Sequence, residues 1–222
     1  NSVCYPNLNV KIAATHAGIT VGEDGASHQA IEDIAIMRAI PNMTVINPSD
    51  AIITKKAIEA SIKHNGPIYI RLGRLGVPVI HKDDVDYKIG KGIVLKEGKD
   101  VAIIATGFMV HLALEAAEIL KDDGIEARVI DIHTIKPIDK DLIIETAKKT
   151  GAIVTAEEHN IIGGLGGAVA EVLSEECPTP LIRVGIKDIF GQSGKPMELV
   201  KLYEISSLDI ALAVKKVIRQ KS

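Results

Sequence analysis

The chain has 222 residues, and 46% of them are hydrophobic, which is enough for a folded core and too many for a disordered segment. A formal net charge of −3 and an aromatic content of 3% argue against nucleic-acid binding, which needs a basic surface or a stacking platform. No apolar run approaches the length of a membrane span, and residues 1–9 lack the basic-then-apolar order of a signal peptide.

Cysteine usage agrees with a cytoplasmic location. The chain contains only Cys4 and Cys177, which lie far apart without a paired spacing. This pattern excludes a cysteine-rich zinc site and a disulfide framework. It is typical of two reduced thiols in a cytosolic protein.

Apolar runs alternate with segments of helical periodicity along most of the chain. We predict strands at 10–14, 44–46, 68–72, 87–95, 100–105, 127–132, 153–156 and 181–184. We predict helices at 29–39, 47–64, 110–123, 139–150, 165–176 and 208–218. Strands that alternate with helices of this length indicate parallel crossovers, so we expect an α/β fold with mainly parallel sheets flanked by helices.

A loss of hydrophobic periodicity divides the chain into two pieces. Glycine, proline and charged residues interrupt the periodicity at 73–86, which we interpret as a linker. We place one piece at 1–80, including the start of the linker, and the other at 81–222. The second piece has the size of a typical domain, whereas the first has only three strand candidates and is short for a doubly wound unit.

The strongest candidate site is the loop THAGITVGEDGASHQ at 15–29, which follows the first strand. Ligands of open α/β sheets bind beyond the carboxyl ends of strands. The loop carries His16, Glu23, Asp24 and His28 among glycines, and these groups bind hydroxyls and move protons near neutral pH. The residue types alone suit an ordinary surface loop equally well.

Two arginines follow the strand at 68–72, at the same predicted edge of the sheet. Arg71 and Arg74 stand beside glycine, and guanidinium groups form forked hydrogen bonds to phosphate. The alternative is a pair of solvated arginines in the linker.

Other motifs carry weaker signals. Gly22-Glu23-Asp24-Gly25 resembles a metal loop, but no second oxygen ligand follows at a fixed spacing, so we expect no metal site. The glycines at 163–167 match the dinucleotide fingerprint poorly and indicate a loop that fixes helix and sheet geometry. No strand leads into the serine at 193, which excludes a nucleophile elbow. For the polar residues at 157–159 the sequence leaves three alternatives open: they line an interface, they line a site, or they are simply exposed.

The stretch ATHAGITVGEDGASHQAIEDIAIMRAIPNMTVINPSD closely resembles the pyrimidine-binding domain of transketolases, which are thiamine-diphosphate enzymes. The shared pattern is Ala-Thr-His, Gly-Glu-Asp-Gly, His-Gln, an arginine before Pro-Asn, and a Pro-x-Asp helix start. The remainder resembles the transketolase C-terminal domain through the Glu-Glu-His and Gly-Gly-Leu-Gly sequence at 157–166 and Phe-Gly at 190–191. Departures at Ala26 and Ser27, where the family has Pro and Thr, leave the polar side chains in place.

The resemblance implies roles for four residues. His16 and Arg74 would bind the phosphate of a sugar phosphate. Asp24 would hold a substrate hydroxyl near C2, and His28 would lie beside the reacting carbon. His16, Asp24 and His28 would also move protons during catalysis. Arg71 has no clear transketolase counterpart.

The resemblance also implies that parts of the site lie outside this sequence. The family's cofactor-activating glutamate, the aromatic residues that hold the pyrimidine ring, and the Gly-Asp-Gly…Asn motif that binds diphosphate and Mg²⁺ are all missing from it. We therefore expect an incomplete pyrimidine-binding domain whose N-terminal portion is missing. The complete enzyme would use thiamine diphosphate and Mg²⁺, and this chain alone would be inactive and bind the cofactor weakly.

The reaction implied is the transfer of a two-carbon ketol unit from a ketose phosphate to an aldose phosphate. The partners implied are sugar phosphates, an N-terminal transketolase part or subunit, and a second copy in a homodimer. The alternatives are a fragment of deoxyxylulose-phosphate synthase, a fragment of a 2-oxoacid dehydrogenase beta subunit, or a non-catalytic dimerisation module. Glu23 and Gln29 favour transketolase over the synthase, which usually has Ala and His there.

Overall fold

The structure is a computed structural model that describes residues 1–221 as two sheets flanked by helices. The strands are β1 Lys11–Ala14, β2 Thr44–Ile46, β3 Ile68–Arg71, β4 Ile93–Lys96, β5 Val101–Ala105, β6 Ala127–Asp131, β7 Thr134–Lys136, β8 Ile153–Asn160 and β9 Leu181–Ile186. The helices are α1 Asp33–Ala39, α2 Ala51–Lys63, α3 Met109–Asp122, α4 Lys140–Thr150, α5 Leu165–Glu176, α6 Pro196–Leu202 and α7 Ser207–Ile218. A 3₁₀ segment, Ile19–Asp24, interrupts the loop after β1.

The first sheet has the order β1-β3-β2-β7. Strands β1, β2 and β3 run parallel, so their carboxyl ends meet at one edge, as expected. Strand β7 pairs with β2 in the antiparallel sense. This three-residue strand was not predicted, and it carries the chain from the second sheet back to the first.

The second sheet has the order β4-β6-β5-β8-β9, with all pairs parallel except β4 with β6. Strand β5 lies at the centre and is fully buried, as a strand covered on both faces must be. Helices α3 and α7 contribute to the hydrophobic cluster on one face, and α4 and α5 to the cluster on the other. The predicted α/β fold is therefore confirmed.

Local signals explain several helix ends. The Asp50 carboxylate accepts a hydrogen bond from the Ile53 amide at 2.8 Å and begins α2. Ser206 and Asp209 form a capping box at the start of α7. The left-handed Gly151, with φ of 66°, ends α4. Several predicted boundaries were wrong: α1 and α2 each begin four residues later, β4 begins at Ile93, and β8 extends to 160.

Candidate functional site

The loop at 15–29 folds back over the ends of β1 and β3. The amide of Ala17 donates to the Leu72 carbonyl at 3.1 Å, and the amide of Gly18 donates to the Ala30 carbonyl at 2.8 Å. The 3₁₀ segment then runs outward and kinks at Gly22. This path leaves residues 23, 24 and 26–28 exposed while residues 17–22 are buried. The loop therefore has a fixed inner half and an accessible outer half.

Asp24 and Arg74 meet on the accessible side of this loop. Nη1 of Arg74 donates to Oδ2 of Asp24 at 2.9 Å and to the Val21 carbonyl at 2.6 Å. The two side chains are 40% and 46% exposed, so their ion pair is screened by water and contributes about 0–1 kcal/mol to stability. Both groups are thus available to a solute.

His16 and His28 are also exposed, and within residues 1–221 the side chain of each bonds only to its neighbour in sequence. Nδ1 of His16 lies 2.9 Å from the Thr15 hydroxyl, and Nδ1 of His28 lies 3.0 Å from the Ser27 hydroxyl. His16 has a φ of 66°, an uncommon backbone conformation for a residue other than glycine. The structure thus presents all four predicted site residues to solvent around one loop and the turn after β3.

Arg71 does not join this surface. Its guanidinium is 3% exposed and donates from Nε to Oδ2 of Asp33 at 2.9 Å. Nη2 donates to the carbonyls of Ala30 and Glu158, each at 3.0 Å. Burial acts to lower the pKa of Arg71, but the charges of Asp33 and Glu158 outweigh it and raise that pKa. Arg71 therefore lies inside the fold, apart from the exposed surface that carries Arg74.

The polar residues at the end of β8 are buried and line the interface between the two sheets. Glu157 accepts hydrogen bonds from the amides of Leu165 and Gly166 at 2.7 and 2.8 Å, at the start of α5. Burial raises the pKa of Glu157 to about 7. Burial, with the charge of Arg71, lowers the pKa of His159 to about 4. The sequence showed these residues as a polar cluster but did not reveal their burial.

Glu158 reaches across to the loop instead. Its Oε1 accepts a hydrogen bond from the Thr20 amide at 2.7 Å, and the carboxyl group is fully enclosed. Burial raises the pKa of this carboxyl, while Arg71 and the Thr20 amide oppose that rise. Glu158 is therefore the residue of the second sheet that bonds directly to the candidate loop.

The predicted linker is fastened to both sheets by a buried polar chain. The Asp50 carboxylate accepts from the amides of Ile80 and His81 at 2.9 and 2.8 Å. Nε2 of His81 lies 3.4 Å from Oδ2 of Asp131, which also accepts from the Ser49 hydroxyl at 2.5 Å. Burial raises the pKa of Asp131 to about 7. The Asp50 side chain thus both caps α2 and binds the linker.

A cavity of about 280 Å³ lies beyond the carboxyl ends of β2 and β3. None of the four predicted site residues lines it. Its walls come from both sheets and from the linker: Thr20, Asn47, Pro48, Ser49, Asp50, Ala51, Thr54, Arg71, Leu72, Gly73, Leu75, Gly76, Val77, Phe108 and Glu158.

Within residues 1–221, no three or more His, Cys, Asp or Glu side chains cluster closely enough to hold a metal ion. Over the same described part of the chain, every helix is too short or too polar to cross a membrane.

Two family matches cover most of the chain. Residues 2–79 match the family described as "Transketolase, pyrimidine binding domain". Residues 90–210 match the family described as "Transketolase, C-terminal domain".

Individual relatives agree. A "Putative transketolase C-terminal section" from Methanocaldococcus jannaschii is 53% identical over 95% of this chain and 67% of its own length. A "6-deoxy-6-sulfo-D-fructose transketolase subunit" from Clostridium sp. MSTE9 is 44% identical over all of this chain and 69% of its own length. A solved structure titled "Split gene transketolase, inactive beta4 tetramer" is 54% identical, with a TM-score of 0.95 over all of this chain and 71% of that one.

The chain thus spans about two thirds of the length of these relatives. Both matched regions, the motif around the exposed loop and the two-sheet architecture point to the same assignment. The chain belongs to the transketolase family of thiamine-diphosphate-dependent enzymes and carries sequence of its pyrimidine-binding and C-terminal domains.

Proposed function

We propose that this chain is the C-terminal part of a transketolase that transfers a two-carbon ketol unit from a ketose phosphate to an aldose phosphate. The observation that carries the proposal is the exposed surface formed by Asp24 and Arg74, with His16 and His28 on the same loop. In this proposal residues 1–80 supply one wall of the active site and residues 81–222 form the C-terminal domain.

Arg74 and His16 bind the substrate phosphate. The Arg74 guanidinium is partly exposed and donates a hydrogen bond to the Val21 carbonyl, which fixes its position. A phosphate can therefore bind to it without a conformational change that exposes a buried side chain. A guanidinium offers several donors in a planar fork that matches a phosphate, and an imidazole adds a further donor. Arg71 is assigned no share in this task because its side chain is only 3% exposed and its Nε and Nη2 atoms already donate to Asp33 and to two carbonyls.

Asp24 and His28 act on the sugar itself. An exposed carboxylate accepts a hydrogen bond from a sugar hydroxyl and so fixes the orientation of the chain of carbons. An imidazole near the reacting carbon transfers a proton to or from a hydroxyl at neutral pH. Asp24 pairs with Arg74 at 2.9 Å, so the hydroxyl and phosphate contacts would be set at a fixed spacing.

The cofactor would be held mainly by the complementary part of the enzyme. Thiamine diphosphate supplies the electron sink for the carbanion formed when a carbon–carbon bond beside a ketone breaks. The residues of this chain do not fit the diphosphate and Mg²⁺: the described part has no cluster of metal ligands, and the sequence lacks the Gly-Asp-Gly…Asn motif. We therefore propose that this chain alone is inactive and functions with an N-terminal transketolase part, in an assembly that contains two copies of it.

Reconstitution tests this function. The chain is mixed with the N-terminal transketolase part from the same source, thiamine diphosphate and Mg²⁺, and then given xylulose 5-phosphate and ribose 5-phosphate. We expect a seven-carbon ketose phosphate from the mixture and none from either part alone. Activity only with pyruvate and glyceraldehyde 3-phosphate would assign the chain to the deoxyxylulose-phosphate synthases instead. A stable complex that is inactive with every substrate pair would indicate a dimerisation module.

A further inference from the structure

The inner half of the candidate loop rests directly on the second sheet. A Cβ atom at Gly18 would lie 2.3 Å from the Glu158 carboxyl carbon, and one at Gly25 would lie 2.6 Å from the Ser193 hydroxyl. Both glycines have a positive φ, of 90° and 79°, which an L side chain rarely adopts. The loop therefore passes within van der Waals distance of the C-terminal domain at two points where no side chain fits.

Hydrogen bonds join the same surfaces. The Thr20 amide donates to Glu158 at 2.7 Å, and Nε2 of Gln29 donates to the Gln192 carbonyl at 3.0 Å. The same nitrogen lies 3.1 and 3.3 Å from the carbonyls of Ile19 and Gly22, so Gln29 ties the 3₁₀ segment to residue 192. The segment before Asp24 is thus held by Glu158 of the second sheet and, through Gln29, by the loop that contains residue 192.

We infer that Glu158 is a positioning residue of the active site: it fixes the 3₁₀ segment whose outer end carries Asp24, and it does so without touching the substrate. This inference rests on the proposed function of the loop. It also gives the C-terminal domain a task in catalysis, because Glu158 belongs to β8 of the second sheet.

The chemistry at Glu158 favours a positioning role. Its side chain belongs to a residue that is only 3% exposed, and its carboxylate accepts a hydrogen bond from the Thr20 amide near the start of the 3₁₀ segment. A charge-assisted hydrogen bond in a low-dielectric interior is shorter and stronger than a neutral one. Arg71 binds the backbone carbonyl of the same residue at 3.0 Å, which fixes the strand end from which the carboxylate projects. Glu158 is therefore rigid enough to define where the loop lies.

Three substitutions at Glu158 separate positioning from general stability. Glu158→Ala removes the acceptor, and Glu158→Asp keeps the charge but is too short to reach the Thr20 amide. Glu158→Gln keeps an acceptor at the same reach and is the conservative rescue. The matched control is Glu157→Ala, which removes an equally buried carboxylate of the same strand whose bonds go to α5 and not to the loop.

The first readout is amide hydrogen exchange on the full chain. We expect the Thr20 amide to exchange roughly ten times faster or more in Glu158→Ala and Glu158→Asp, because one charge-assisted hydrogen bond is lost. Glu157→Ala should leave that exchange rate within about twofold of the original, and Glu158→Gln, which keeps a neutral acceptor, should raise it less than Glu158→Ala and Glu158→Asp do. Unchanged exchange in Glu158→Ala, or an equal increase in Glu157→Ala, would overturn the inference. If Glu158→Ala does not fold, the comparison of Glu158→Asp with Glu158→Gln decides in its place.

The second readout is kinetics of the complete enzyme. We expect Glu158→Ala to raise KM for both sugar phosphates about tenfold while the affinity for thiamine diphosphate changes by less than about twofold, because only the substrate wall moves. The Glu157→Ala control should lower the unfolding temperature without this rise in KM. A rise in KM that correlates with the loss of stability across all variants, including Glu157→Ala, would contradict a positioning role for Glu158. Absence of ketol transfer in the original enzyme would refute the proposed function but leave the exchange result as an independent test.

Discussion

The buried guanidinium of Arg71 gives the sharpest test of how the two sheets are joined. Replacing it with methionine, which has a similar length and no charge, leaves the Asp33 carboxylate without its cation. The Oδ1 atom of Asp33 is already buried without a partner, and Oδ2 would retain only the Tyr69 hydroxyl at 2.7 Å. Removing one partner of a buried ion pair typically costs about 3–5 kcal/mol, since the remaining charge is isolated from water.

For a domain of this size, that loss lowers the unfolding temperature by roughly 6–20 °C. Urea unfolding followed by circular dichroism measures it. Arg74→Met is the matched control: its side chain is 40% exposed, so we expect a change within about 0.5 kcal/mol. The double variant Arg71→Met with Asp33→Asn should recover part of the loss because it removes the isolated charge. A loss below about 1 kcal/mol for Arg71→Met, or no recovery in the double variant, would refute this account.

Three further predictions follow from the structure. The Asp131 carboxyl, with its pKa raised to about 7, contributes stability that is fully present below pH 4 and lost as pH rises through 7. Asp131→Asn should therefore gain stability relative to the original chain between pH 4 and 8, by up to roughly 4 kcal/mol in urea unfolding; a pH-independent difference would contradict the raised pKa. Gly25→Ala should lower the free energy of unfolding by about 1–3 kcal/mol. Adding Ser193→Gly should recover only the part of this loss that is due to the clash, because the backbone strain at positive φ remains; full recovery would argue against that strain. Calorimetric titration of the chain alone should show weak binding of thiamine diphosphate, and tight binding would contradict the division of the site between two parts.

The sequence predicted those features that depend on neighbouring residues. Asp50 begins α2 and Gly151 ends α4, as their positions indicated, because capping requires only the few residues around the helix end. Strand β7 was missed because its pairing with β2 of the first sheet is a long-range contact that local periodicity does not reveal, and α6 was missed because it directly follows the glycine-containing loop around residue 193.

The sequence did not distinguish the two arginines, because their fates depend on distant residues. Arg71 and Arg74 stand three residues apart, yet one binds Asp33 and the backbone of Glu158 in the core while the other binds Asp24 at the surface. Likewise, nothing near Glu158 in the chain reveals that its carboxylate bonds to an amide 138 positions away. Such long-range pairs follow from tertiary packing, which periodicity and motif spacing do not encode.

The central claim is that the loop at 15–29 and the turn after β3 form the substrate wall of a transketolase. The most direct measurement compares Arg74→Ala with Arg74→Lys and the original residue in the complete enzyme, using phosphorylated and unphosphorylated acceptor sugars. We predict that Arg74→Ala raises KM at least about tenfold for the phosphorylated sugar and less than about twofold for the unphosphorylated one, with partial recovery in Arg74→Lys. Equal effects on both sugars would contradict the assignment of Arg74 to the phosphate.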